Sequence, residues 1–262
     1  MRARTLLVAL ALTCPSALPA DAGIGIVLVH GKQGTSESLA GLAAILNGAN
    51  YLTERPEMCW SRDRIYDRPY LDCLREIDAA VGRLKQRGAT GVVVLGMSLG
   101  GNGALGYGAR YPGLKGVITL VPGHAPEIIS RQPEIAAALG HARALIAAGQ
   151  GDIRMAFPDR NTRVSSFAIT VNATPKVYLD FLSPDSPSVM PANAVHLTAP
   201  LLYVAASNDP TQRGRGYIFD RAPENPLNRY VTVSSDHIGT PAVSQQIVLD
   251  WLKTLGSSGQ SH

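Results

Sequence analysis

Cysteine is scarce in this chain of 262 residues, occurring only at Cys14, Cys59 and Cys73, with no C-x-x-C pair. No Cys/His spacing suits a metal, so a structural zinc site is excluded and none is expected in the functional site. Aromatic residues make up 6% and charged residues 17%, and the Lys and Arg behind the net charge of +4 are scattered. Nucleic-acid binders concentrate basic residues on one stripe, often interleaved with aromatics, so no nucleic-acid partner is expected. Long apolar runs are also missing. None reaches the roughly 18–20 residues that cross a bilayer, which argues against a stable membrane span. What is present is an apolar fraction of 45%, the opposite of a disordered composition, in a chain long enough for one large domain or two small ones.

The first residues read as a processing segment. Arg2 and Arg4 give a short positive start, Thr5 to Thr13 an apolar stretch, and Pro15 a break before Ala20-Asp21-Ala22. That is the pattern of a cleaved secretory signal over residues 1–22, which implies a periplasmic or secreted mature chain. Removing it leaves Cys59 and Cys73, an even number in a compartment where disulfides persist, so one Cys59–Cys73 bridge is expected.

Short apolar runs then alternate with helical patterns. Ile24 to His30, Gly91 to Leu95, Gly116 to Val121, Leu201 to Ala205 and Arg229 to Val233 have strand length. Continuous apolar runs belong to strands buried on both faces, so the expected class is α/β, a mostly parallel sheet with helices on both faces. Helical spacing links Leu39, Leu42, Ala43 and Leu46, then Leu74, Ile77, Val81 and Leu84. A closing helix is expected after Thr240, with a face of Val243, Ile247, Trp251 and Leu255, and a frayed tail from Gly256. The alternation breaks over 124–195, which carries a helix on Ile135, Leu139, Ala142 and Ile146 and then a proline-rich stretch. This reads as a lid-like insertion between core segments 23–123 and 196–262. Phe167, Tyr178, Phe181 and Leu182 could line such a lid, but ordinary core is the favoured reading.

Gly96-Met97-Ser98-Leu99-Gly100 directly follows a buried strand and precedes a helix. In that setting G-x-S-x-G forms a tight turn that exposes the serine hydroxyl at the sheet edge. Asp209 and His237 fall just after later strands, in Ser-Asn-Asp-Pro and Ser-Ser-Asp-His-Ile-Gly. Ser98, Asp209 and His237, in that chain order and setting, resemble the α/β-hydrolase family over most of the mature chain. The resemblance implies Ser98 as nucleophile, His237 as base and Asp209 as the orienting acid. It also implies an oxyanion hole made by the amides of Leu99 and of a residue in His30-Gly31-Lys32-Gln33-Gly34, with Lys32 preferred over Gln33.

Competing residues read more simply. His30 would pack the first loop, and His124, His141 and His196 are satisfied surface or core histidines. Asp236 adjoins His237 on an extended stretch, where neighbouring side chains point apart, and Asp220 follows no strand. Gly101, Gly103 and Gly106 match G-x-G-x-x-G, with Glu127 downstream, but the glycines fall inside the helix and not at a strand tip.

The resemblance implies a monomeric serine hydrolase that needs no cofactor and acts on a small ester-like molecule. Thioesters, lactones and peptides are open to the same triad. A hydrolase fold retained as an exported binding protein is the alternative from another class.

Overall fold

A computed structural model describes residues 23–160 and 168–257. The expected signal segment, Phe167 and most of the expected tail lie outside the described residues. Six strands form one sheet in the order β2-β1-β3-β4-β7-β8, all pairs parallel: β1 (Ile24–Val29), β2 (Leu52–Glu54), β3 (Gly91–Met97), β4 (Gly116–Leu120), β7 (Leu201–Ala206) and β8 (Arg229–Val233). The α/β class read from the sequence is the class observed.

Side-chain alternation explains why β1 and β3 carry no polar residue. Val27 and Val29 of β1 enter one core, while Ile24, Ile26 and Leu28 enter the other. Val92 and Val94 of β3 divide from Val93 and Leu95 in the same way. The first core is closed by α2 (Tyr70–Gln86) and α3 (Leu99–Gly108). The second is closed by α1 (Ala40–Gly48) and α10 (Gln245–Ser257). The closing helix differs from expectation in its phase. A four-residue helix α9 (Thr240–Val243) ends at Ser244 before α10 begins. The buried face of α10 becomes Val248, Trp251, Leu252 and Leu255, and Val243 is left 49% exposed. The helix also continues past Gly256, where fraying was expected.

Between β4 and β7 lie α4 (Pro126–Ile129), α5 (Pro133–Ala147), the antiparallel hairpin β5 (Met155–Arg160) with β6 (Ala168–Ala173), α6 (Pro175–Leu182) and α7 (Met190–Ala194), and a short α8 (Arg215–Ile218) follows β7. Tyr178, Phe181 and Leu182 are core: Phe157 stacks on Tyr178 at 4.3 Å and Tyr66 on Phe181 at 4.2 Å between ring centres. Cys59 and Cys73 form the expected disulfide, with Cα atoms 5.6 Å apart. Among the described residues, no helix is long and apolar enough to cross a membrane.

Candidate active site

Ser98 joins β3 to α3 with φ +57° and ψ −123°. A non-glycine residue holds that left-handed conformation only where its surroundings impose it. Its amide donates to Leu120 O at 3.0 Å, and its carbonyl accepts from Asn102 N at 3.1 Å and Gly123 N at 3.0 Å. Two glycines supply the space. A Cβ at Gly96 would sit 2.0 Å from Gly100 O, and one at Gly100 would sit 2.0 Å from Val29 O. The motif is thus a steric requirement of the turn. Gly103 and Gly106 are packing glycines of α3, facing Trp60 and the Tyr70 hydroxyl.

Asp209 follows β7 and His237 follows β8, so both share with Ser98 the C-terminal edge of the sheet. His237 Nδ1 lies 2.8 Å from Asp209 Oδ2. A carboxylate only accepts, so Nδ1 carries the proton and Nε2 presents a lone pair. Asp209 Oδ1 accepts from the Thr211 amide at 2.9 Å and its hydroxyl at 2.8 Å. Burial opposes the Asp209 charge, but the bonds from His237 and Thr211 outweigh it and hold the carboxyl below its ordinary range. His237 Nε2 is buried and makes no hydrogen bond among the described residues, so it is not bonded to the Ser98 hydroxyl here. Catalytic contacts of this kind often tighten only when substrate is bound.

The loop after β1 is held from two sides. The His30 ring is buried and neutral in character: burial lowers its pKa, Nδ1 lies 2.8 Å from Gly31 O, and Nε2 accepts from Met58 N at 3.1 Å. Trp60 Nε1 donates to His30 O at 2.8 Å. Gln33 N donates to Trp60 O at 2.8 Å, which commits that amide elsewhere than a substrate oxygen. On the other side, Lys32 Nζ donates to Asp159 Oδ2 of β5 at 2.7 Å, and Tyr66 Oη donates to the same oxygen at 2.9 Å. Leu99 opens α3, where the first amides have no intrahelical acceptor.

Of the remaining candidates, His141, His196, Asp220 and Asp236 are exposed, with Asp220 paired to Arg215 and Asp236 capping Gly239 N. His124 departs from its sequence reading as a satisfied histidine. It is 5% exposed, with φ +70°, and follows Gly123, where a Cβ would lie 3.2 Å from Ser98 Oγ. Its Nε2 donates to Phe181 O at 2.9 Å, while Nδ1 is buried with no hydrogen bond among the described residues. Its position just past β4, on the same sheet edge as the other candidates, was the signal available in the sequence. No cluster of side chains suited to a metal occurs among the described residues.

No family model matches the chain, and no curated protein sequence matches it. Solved structures do. The monoacylglycerol lipase of Paleococcus ferrophilus is similar at TM-score 0.63 and 17% identity, over 88% of this chain and 94% of that one. Est1E from Butyrivibrio proteoclasticus, solved with ferulic acid bound, gives 0.62 and 17% over 93% of each. The proline iminopeptidase of Mycobacterium smegmatis gives 0.57 and 17% over 94% of each. The architecture is therefore the α/β-hydrolase fold.

Proposed function

We propose that this chain is an exported serine hydrolase that cleaves small carboxylic esters through an acyl-enzyme. The observation that carries the reading is the Asp209–His237 pair, 2.8 Å apart, on the sheet edge where Ser98 is held at φ +57°. In this mechanism Nε2 of His237 takes the Ser98 proton as the hydroxyl oxygen attacks the ester carbonyl. Asp209 stays ionised and stabilises the imidazolium that forms. The tetrahedral oxygen is received by the amides of Leu99 and Lys32, the Gln33 amide being committed to Trp60. His237 then protonates the departing alkoxide, and a water activated by the same nitrogen releases the acid. In this reading the segment inserted between β4 and β7 serves as the lid, and the Cys59–Cys73 bridge supports the export reading of residues 1–22.

The ester assignment draws on chemistry shared by several proteins of similar fold, a lipase among them. Fluorophosphonate labelling with mapping of the modified peptide, beside p-nitrophenyl ester turnover, tests it. Label on Ser98 with ester hydrolysis is the expected result. Turnover confined to thioesters, lactones or peptides would keep the triad and move the substrate class. Folded protein that neither labels nor hydrolyses would make the binding-protein alternative the better account.

A further inference from the structure

A narrow cavity of about 20 Å³ opens beside the nucleophile, room for about one water-sized group. It is walled by Gly123, His124, Met190, Tyr203, Thr211 and Tyr217 among others. Two of its wall residues touch the triad candidates: a Cβ at Gly123 would lie 3.2 Å from Ser98 Oγ, and the Thr211 hydroxyl is bonded to Asp209. A wider groove of about 710 Å³ between Arg215, Asp220 and Tyr230 includes neither Gly123 nor Thr211 in its lining.

The polar groups around the narrow cavity are not equal. Thr211 Oγ1 is spent on Asp209, and Tyr217 Oη on Glu127. His124 differs. Phe181 O can only accept, so Nε2 of His124 carries the ring proton and Nδ1 is a bare acceptor. That acceptor is buried and unpaired among the described residues. Burial and the nearby Lys32 ammonium depress the His124 pKa to about 4, so the ring remains neutral at physiological pH. The residue also holds φ +70°, and Val121, at the end of β4, holds φ +42°. Backbone conformations of this kind are strained and cluster at ligand sites. A buried acceptor without a donor is costly unless something supplies one.

We propose that His124 is a specificity-determining residue whose Nδ1 accepts a hydrogen bond from a hydroxyl carried by the ester substrate close to its scissile carbonyl. The inference rests on the hydrolase reading above. A hydroxyl fits the cavity and donates where the ring can only accept, and the cavity wall at Gly123 packs against Ser98. The same chemistry can come from a 2-hydroxyacyl group or from the alcohol of a diol or polyol ester. A site built to bond a hydroxyl discriminates strongly against an analogue that lacks it, because the site's own group is then left unpaired.

The test compares kcat/KM within two isosteric pairs: ethyl lactate against ethyl isobutyrate, and 2-hydroxyethyl acetate against propyl acetate. A preference for the hydroxylated ester of at least about tenfold is expected in one pair, and that pair identifies which side of the ester carries the donor. In His124→Phe, which has no acceptor, the ratio should fall towards one. His124→Gln, whose amide offers Phe181 a donor and the cavity an acceptor, should restore part of it. A wild-type ratio near one in both pairs overturns the inference, as does an unchanged ratio in His124→Phe. The wild-type ratio decides even if a variant fails to fold. Fluorophosphonate labelling separates the two levels of argument. Labelled protein that hydrolyses both members of each pair equally refutes the role of His124 and leaves the hydrolase reading standing. Protein that neither labels nor turns over any ester removes both.

Discussion

Lys32 and Asp159, 127 residues apart in sequence, form an ion pair of 2.7 Å in which the carboxylate side chain is 0% exposed and the lysine 13%. It ties the loop after β1 to the hairpin of the inserted segment. The Asp159 carboxylate also accepts from Tyr66 Oη and from the Arg160 amide, so all of its bonds suit an anion. Removing one charge leaves the other buried without compensation, which typically costs about 3–5 kcal/mol. Asp159→Asn should therefore lower stability by an amount near the bottom of that range. Adding Lys32→Met should recover most of the loss, because an apolar side chain of similar length has no charge to strand. Urea unfolding of the four proteins in the cycle measures both effects. A double variant destabilised by the sum of the two single losses would mean that the pair is not coupled.

The Asp209–His237 bond makes a catalytic prediction. An amide at position 209 can present its NH2 to His237 Nδ1, which favours the tautomer with the proton on the wrong nitrogen. Asp209→Asn should lower kcat on an ester substrate by about 10⁴ with little change in fold, by analogy with other triads. Steady-state kinetics beside circular dichroism checks it. A loss under tenfold would point to another carboxylate.

Much of the fold was legible because the sheet is covered on both faces. Runs such as Ile24 to Val29 and Gly91 to Leu95 then have no polar alternation to confuse them with surface strands. The turn at Ser98 was legible for a different reason: its glycines are dictated by backbone contacts that no side chain could relieve. What escaped the sequence depended on partners far along the chain. β2 is three half-buried residues paired only to β1. β5 contains Pro158 and Asp159, which read as loop until Lys32 is seen to neutralise the carboxylate. His124 read as an ordinary histidine because no local pattern reveals that one ring nitrogen faces no donor. The break at Ser244, which turned Val243 outward, had no proline or glycine of its own at that residue to announce it.

Stability should begin to fall at a higher pH than carboxylates alone would dictate. The unfolded chain titrates its histidines near pH 6.5, whereas burial first and Lys32 second hold folded His124 at about 4. Below about pH 6.5 the unfolded state binds a proton that the folded state refuses. The contribution is therefore intact above that pH and lost progressively towards pH 4, amounting to about 3 kcal/mol at most. Burial lowers His30 in the same direction. Asp159 and Asp209 act further down. Their folded pKa values lie below normal, so the stability they contribute is present above about pH 3.9 and lost as pH falls through the lower folded values. Thermal melts from pH 8 to 4 should show the decline starting near 6.5, and His124→Gln should make it shallower. A flat profile down to pH 4.5 would contradict the buried neutral rings.

The disulfide should matter to rate as well as to stability. Cys59 and Cys73 close a loop with a sequence separation of 14, for which the chain-entropy model gives about 3 kcal/mol. Residues inside that loop or at its edge also hold the segment 30–34: Met58 N bonds the His30 ring, Trp60 bonds His30 O and Gln33 N, and Arg62 N bonds Gly34 O at 3.0 Å. Slackening the loop therefore loosens the strip of backbone that, in the proposed mechanism, offers Lys32 N to a transition-state oxygen. An oxyanion donor acts mainly on the transition state, so its displacement lowers kcat more than it raises KM. The Cys59→Ser, Cys73→Ser double variant should lose about 3 kcal/mol in urea unfolding, and at a temperature where it remains folded its kcat should drop several-fold with KM nearly constant. Wild-type kcat in a variant of reduced stability would show that the bridge serves the fold alone and that the 30–34 loop is held by its hydrogen bonds to Met58 and Trp60.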